Sequence, residues 1–108
     1  MTKAFLALAV LAILALATTA RADSMKSCGW VTDTRGYDWY ITANHNTSCP
    51  LARNVGRSRS LHPVVFSPVS GLYYRFDCYR SGHTYTYRRY TCVSYDGVDG
   101  PLRVVQRG

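Results

Sequence analysis

The sequence predicts a small α+β domain: a mainly antiparallel sheet with one short helix, held by two disulfides. Three observations carry that expectation. Beyond residue 26 most of the chain divides into short runs of strand-forming residues separated by Gly, Pro, Asn and Asp. A single segment, starting at Thr47, combines a helix-start signal with helical spacing. Four cysteines follow an N-terminal segment that reads as an export signal, and a short exported chain with an even cysteine count implies a disulfide framework.

The elements are expected in this order. Ser27–Thr32 is a short strand, and Asp33-Thr34-Arg35-Gly36 is a turn by composition. Tyr37–Ala43 is rich in strand formers and ends at Asn44-His45-Asn46. In Thr47-Ser48-Cys49-Pro50, Thr47 or Ser48 can cap a helix, and proline is tolerated in the first turn, where its missing N–H would lack a partner anyway. Cys49, Ala52 and Val55 then recur on one face, and Gly56 is the expected C-cap, which limits the helix to about two turns. Val64–Phe66 is a short strand, followed by a turn over residues 67–71. Leu72–Tyr79 reads as one strand, with Leu72, Tyr74, Phe76 and Cys78 on one face and Tyr73, Arg75, Asp77 and Tyr79 on the other. Ser81-Gly82 is read as a break, Thr84–Ser94 as a strand, Asp96–Pro101 as a loop and Leu102–Val105 as a last strand.

The N-terminus has the layout of a secretory signal peptide over residues 1–22. A basic Met1-Thr2-Lys3 precedes an apolar run from Ala4 to Ala20, and Ala20-Arg21-Ala22 offers small residues for cleavage before Asp23, or before Arg21 as the neighbouring site. A retained anchor and a start at Met25 are the competing readings; the run is at the short edge of what spans a bilayer. Residues 23–108 then form a single small secreted domain. Loss of Lys3 and Arg21 with the signal takes the net charge from +7 to +5, and the six acidic residues, all Asp, remain. Lys26 is the only remaining lysine, so Arg carries nearly all the positive charge. A domain of this size has a marginal core, which makes the cross-links important.

Cys28-Gly29, the block Thr47-Ser48-Cys49-Pro50-Leu51-Ala52-Arg53-Asn54-Val55, the block Ser67-Pro68-Val69-Ser70-Gly71-Leu72-Tyr73 and Thr91-Cys92, in this order, resemble a group of small secreted proteins of mycobacteria and related actinobacteria. Thr47-Ser48-Cys49-Pro50-Leu51-Ala52-Arg53-Asn54-Val55 is similar to that group's TSC-x-hydrophobic-A-x-N-V segment. Ser67-Pro68-Val69-Ser70-Gly71-Leu72-Tyr73 is similar to its SPVTG-x-x-Y segment leading to a cysteine, here Cys78. Cys28-Gly29, Thr91-Cys92 and the apolar Val104-Val105 also match in order, whereas Ser94-Tyr95-Asp96-Gly97 stands where the group tends to have Gly-Gly. The resemblance implies secretion and a disulfide-stapled module, and it implies no activity or catalytic residue.

The cysteines are Cys28, Cys49, Cys78 and Cys92. A tight hairpin at Ser81-Gly82 would place Cys78 opposite Tyr85, with Cys92 a further seven residues along the strand, roughly 23 Å at ~3.3 Å per residue. A disulfide needs Cα atoms within about 7 Å, so that hairpin and a Cys78–Cys92 bond exclude each other. The favoured framework is Cys78–Cys92, with Tyr79–Thr91 as an irregular or protruding loop, and Cys28–Cys49 tying the first strand to the helix start. A helix-to-sheet bond of the Cys49–Cys92 type is the competitor.

The most unusual feature is a tract from Leu72 to Tyr95 that holds Tyr73, Tyr74, Tyr79, Tyr85, Tyr87, Tyr90 and Tyr95 with Arg75, Arg80, Arg88 and Arg89. Tyrosine offers a flat ring with a polar tip and arginine a rigid five-donor fork, a pairing suited to sugar rings, phosphates and protein partners. The candidate binding face is Tyr73, Arg75, Tyr79, Tyr85, Tyr87, Arg88 and Arg89. The alternative is that tyrosine serves as a strand former and arginine as solvated surface.

Other chemistries find little support. No G-x-S-x-G elbow occurs, the cysteines are expected to be oxidised, and glutamate is absent, which leaves only Asp for carboxylate chemistry. His45, His62 and His83 show no metal-ligand spacing, so neither cofactor nor metal is expected. Asn46-Thr47-Ser48 matches the glycosylation pattern but is read as part of the helix start. The expected role is a secreted, non-catalytic binding module at the envelope or outside the cell, facing an anionic envelope polymer, a lipid head group or another protein. Nucleic acid is an unlikely partner for an exported chain. The alternative from another class is a secreted cationic effector or antimicrobial acting on anionic membranes.

Overall fold

A computed structural model describes residues 24–58, 60–83 and 88–108; the expected signal segment, Tyr85 and Tyr87 lie outside them. The chain runs β1 (Met25–Thr32), β2 (Asp38–Asn44), α1 (Cys49–Arg57), β3 (Val64–Phe66), β4 (Tyr73–Arg75), β5 (Asp77–His83), β6 (Arg88–Ser94) and β7 (Leu102–Arg107). Five strands form one antiparallel sheet in the order β1-β2-β7-β6-β5, and β3 and β4 form a separate two-stranded sheet. This is the expected α+β class, with both expected disulfides, Cys28–Cys49 and Cys78–Cys92.

Period-two burial builds the sheet. In β2, Trp39, Ile41 and Ala43 are buried, while Tyr40 and Thr42 on the other face are half-exposed. Leu102 and Val104 of β7 and Cys92 and Ser94 of β6 continue the buried side. Helix α1 covers it with Leu51, Ala52 and Val55, and Phe76 closes the core. Ser48 is the N-cap: its Oγ accepts from the Leu51 N–H at 3.3 Å, and Pro50 occupies the first turn. Thr47 is instead buried, its hydroxyl donating to Asn44 Oδ1 at 2.6 Å and accepting from the Arg103 N–H at 3.2 Å.

Four local expectations are corrected. Helix α1 does not stop at Gly56; it continues to Arg57, and Ser58 is the C-cap. Gly56 instead faces the sheet, where a Cβ would lie 2.5 Å from Ile41 Cδ1 and 2.8 Å from Val31 Cγ2. The expected strand Leu72–Tyr79 is split at Phe76, which leaves β4 in the small sheet and β5 in the large one. Buried Phe76 turns inward while its N–H donates to Pro63 O and that of Cys78 donates to Leu61 O, so the loop before β3 covers this edge. Ser81-Gly82 is no break, since β5 runs through it with a bulge between Arg80 and Gly82. Residues 79–83 and 88–91 are accordingly paired strand rather than an irregular loop. Cys78 and Cys92 stand directly opposite on β5 and β6 with Cα atoms 4.0 Å apart. The conflict between hairpin and disulfide disappears because the strands extend to His83 and Arg88, beyond Ser81-Gly82.

Candidate functional site

Helix α1 packs against β1, β2 and β7 from the core side, and the register decides which side chains share the opposite face. Trp30 pairs with Tyr40, Tyr40 with Arg107, Arg107 with Arg89 and Arg89 with Gly82, so one row crosses all five strands. Beside it runs a second row: Ser27, Thr42, Val105, Thr91 and Tyr79. Of these ten residues five carry hydroxyls, three of them aliphatic and two on tyrosine.

A bulge places Trp30 there. The β1–β2 register shifts between Ser27 and Gly29, and Gly29 sits at φ 81°, a conformation glycine adopts without steric cost. Cys28 is therefore turned into the core towards Cys49, and Trp30, two residues on, faces outwards with 66 % of its surface exposed. The ring meets Tyr40 edge-on, with centroids 5.3 Å apart, and the Tyr40 hydroxyl is hydrogen-bonded to Ser27 Oγ.

The two arginines are held by neutral groups. Arg89 donates from Nε to Ser81 Oγ at 3.3 Å and from its terminal nitrogen to Ser81 O at 2.8 Å. Gly82 makes room for this, because a Cβ there would lie 3.0 Å from Arg89 Nε. The Arg107 guanidinium stacks 5.7 Å from the centroid of Tyr40. Among the described residues the ion pairs are Arg35–Asp33 and His62–Asp77, so neither Arg89 nor Arg107 has a carboxylate partner there. Like charges directly opposite each other on neighbouring strands repel, so this pair costs stability unless an anion sits between them. Shallow depressions of about 410 Å³, bounded by Trp30, Arg89, Arg107 and Gly108, and about 140 Å³, bounded by Tyr40, Thr42, Arg89, Val105 and Arg107, adjoin through the arginines.

The residues expected to form one binding face are distributed over three places. Tyr79, 57 % exposed, and Arg89 lie on the uncovered face. Arg88 lies on the other side of β6, 5.6 Å from the Tyr37 ring, which Arg35 approaches at 5.1 Å. Tyr73 and Arg75 belong to β4, where Tyr73 packs against Phe66 at 5.2 Å and the Arg75 N–H donates to Asp96. Trp30, Tyr40 and Arg107 stand outside the Tyr/Arg tract and were not expected. Strict alternation through Ser27–Thr32 sets Trp30 on the same face as Cys28; the glycine after Cys28 is the one sequence signal that the alternation breaks there.

No group of three or more His, Cys, Asp or Glu among the described residues is arranged to hold a metal. No helix among them is long and apolar enough to cross a membrane. No family model matches the chain, and neither a curated protein nor a solved structure matches it.

Proposed function

We propose that the protein is a secreted, non-catalytic binding module that engages an anionic partner at the cell envelope or outside the cell through the uncovered face of its five-stranded sheet. The observation that supports this reading most directly is the row Trp30, Tyr40, Arg107, Arg89: an exposed aromatic ring beside two opposed guanidinium groups with no carboxylate partner among the described residues. Two disulfides suit an oxidising compartment. The signal-like residues 1–22 and the resemblance to small exported actinobacterial proteins point the same way.

The test is fractionation of an actinobacterial host that exports the tagged protein, with envelope and medium separated at rising salt. The protein stays with the envelope at low salt and leaves it at high salt, because attraction between exposed charges is screened over a Debye length of about 10 Å at 0.1 M. A double variant, Arg89→Ala with Arg107→Ala, is found in the medium at every salt, whereas Arg88→Ala, on the other side of the sheet, behaves as the unmodified protein. Unmodified protein free in the medium throughout the series refutes envelope binding.

A further inference from the structure

Resting on that reading of the sheet face, we infer that its ligand is an acidic polysaccharide, a chain of sugar rings bearing carboxylate or phosphate groups. Three features of the face select this class over other anions.

The first is the flat ring at one end. Trp30 is exposed and braced edge-on by Tyr40, so its face is available for the apolar side of a sugar ring without having to be ordered on binding. The second is distance. Trp30 lies on β1 and Arg89 on β6, three strand spacings apart, which is about 14 Å. That span exceeds one sugar ring, so a ligand touching both ends of the row is a chain whose acidic groups reach Arg107 and Arg89 while another ring covers Trp30. The third is the adjoining row, where Ser27, Thr42 and Tyr79 bring hydroxyls alongside the cations, able both to donate to and accept from the hydroxyls of sugars, while Thr91 between them is buried and donates to Ser81 Oγ at 2.8 Å. A lipid surface would call for aliphatic side chains beside the cations, and Val105 is the only one in the two rows.

The face is not uniformly basic. Asp38, which accepts from Thr32 Oγ1 at 2.6 Å, and Asp77, held by His62 at 2.9 Å, lie at its margins, while Arg103 adds a further cation opposite Val93. The charge therefore favours an anion that follows the arginines across the strands.

The experiment uses the oxidised protein as its host exports it, and two probes with one carboxylate per repeat: polygalacturonate, which carries sugar rings, and poly-L-glutamate, which does not. Phosphatidylglycerol vesicles serve as a third probe. Binding to the polymers is followed by isothermal titration calorimetry, which also reads the Trp30 variants, and in the parent by tryptophan emission; binding to the vesicles is followed by sedimentation. Polygalacturonate binds at least tenfold more tightly than poly-L-glutamate and quenches or blue-shifts the Trp30 emission. Trp30→Ala and Trp30→Leu each remove about tenfold of the polygalacturonate affinity and leave the poly-L-glutamate affinity unchanged; Trp30→Leu keeps an apolar side chain but no flat ring, and both variants are compared with the parent in thermal melting. Arg89→Ala with Arg107→Ala abolishes binding to both polymers.

Equal affinity for the two polymers, or full affinity in folded Trp30→Leu, overturns the polysaccharide assignment and leaves the anionic-partner reading standing. Binding to vesicles without binding to polygalacturonate also overturns it, in favour of a lipid surface. Absence of binding to all three probes overturns both readings at once.

Discussion

Asp33 shows how one side chain organises a loop. Its carboxylate is buried and accepts from the Arg35 N–H at 2.8 Å, the Tyr37 N–H at 3.1 Å, Trp39 Nε1 at 3.0 Å and the Arg35 guanidinium at 3.3 Å. Burial taken alone raises its pKa, but the bonds from Trp39, Arg35 and Tyr37 outweigh it and bring the group from 3.8 to about 2. A carboxyl whose pKa is lower in the folded than in the unfolded chain stabilises the fold above the unfolded value, and that contribution disappears as pH falls through the folded one. Urea unfolding midpoints of the parent should therefore decline between about pH 4 and pH 2. Asp33→Asn should lose about 1–3 kcal/mol at pH 7, since an amide NH₂ then faces a donor, and it should lack that share of the acid dependence. An unchanged midpoint at pH 7 would show that the loop holds without the carboxylate.

At the scale of elements, the contact between α1 and the sheet turns on Gly56. Helix propensity alone favours alanine there by about 1 kcal/mol. Space decides otherwise, because the new methyl would collide with Ile41 and Val31, the first of which is fully buried. Gly56→Ala should lower stability by about 1–3 kcal/mol in urea unfolding, and a stabilised variant would show that the helix can move away from β1 and β2 without loss. The β1 bulge is the second decisive local device. It turns Cys28 inwards for its bond to Cys49 and turns Trp30 outwards to the uncovered face.

For the whole molecule, the two disulfides tie down different parts. Cys78–Cys92 joins strands that are already paired, across 14 residues of chain, whereas Cys28–Cys49 ties edge strand β1 to the start of α1 across 21. Chain entropy assigns each about 3 kcal/mol, a large share of the stability of a domain this small. Replacing either pair by alanine should leave a cooperative urea transition at a lower midpoint, and full reduction should abolish it at 37 °C, as read from the emission of buried Trp39. A reduced chain that still unfolds cooperatively at 37 °C would show that the core suffices without cross-links.

What was legible in the sequence follows from local chemistry. The class, the single helix with Ser48 and Pro50 at its start and the strand-former content of β2 rest on neighbours in the chain, whereas strand arithmetic set only a condition on the cysteines, whose observed pairing was the favoured one of the alternatives left open. The candidate site was legible only in part: Tyr79 and Arg89 came from the Tyr/Arg tract, whereas Trp30, Tyr40 and Arg107 came from three other strands. Density along the chain is a poor guide to density on a sheet face, because a row perpendicular to the strands takes one residue from each. Tyr73 and Arg75 illustrate the converse, being near Tyr79 in sequence but placed in a separate sheet once Phe76 turns into the core. The chain by itself determined an α+β domain with two cross-links, and left open which cysteines pair. The tertiary structure alone decided which aromatic and cationic side chains meet, because strand order, a bulge after Ser27 and the face left uncovered by α1 are set by packing of distant segments.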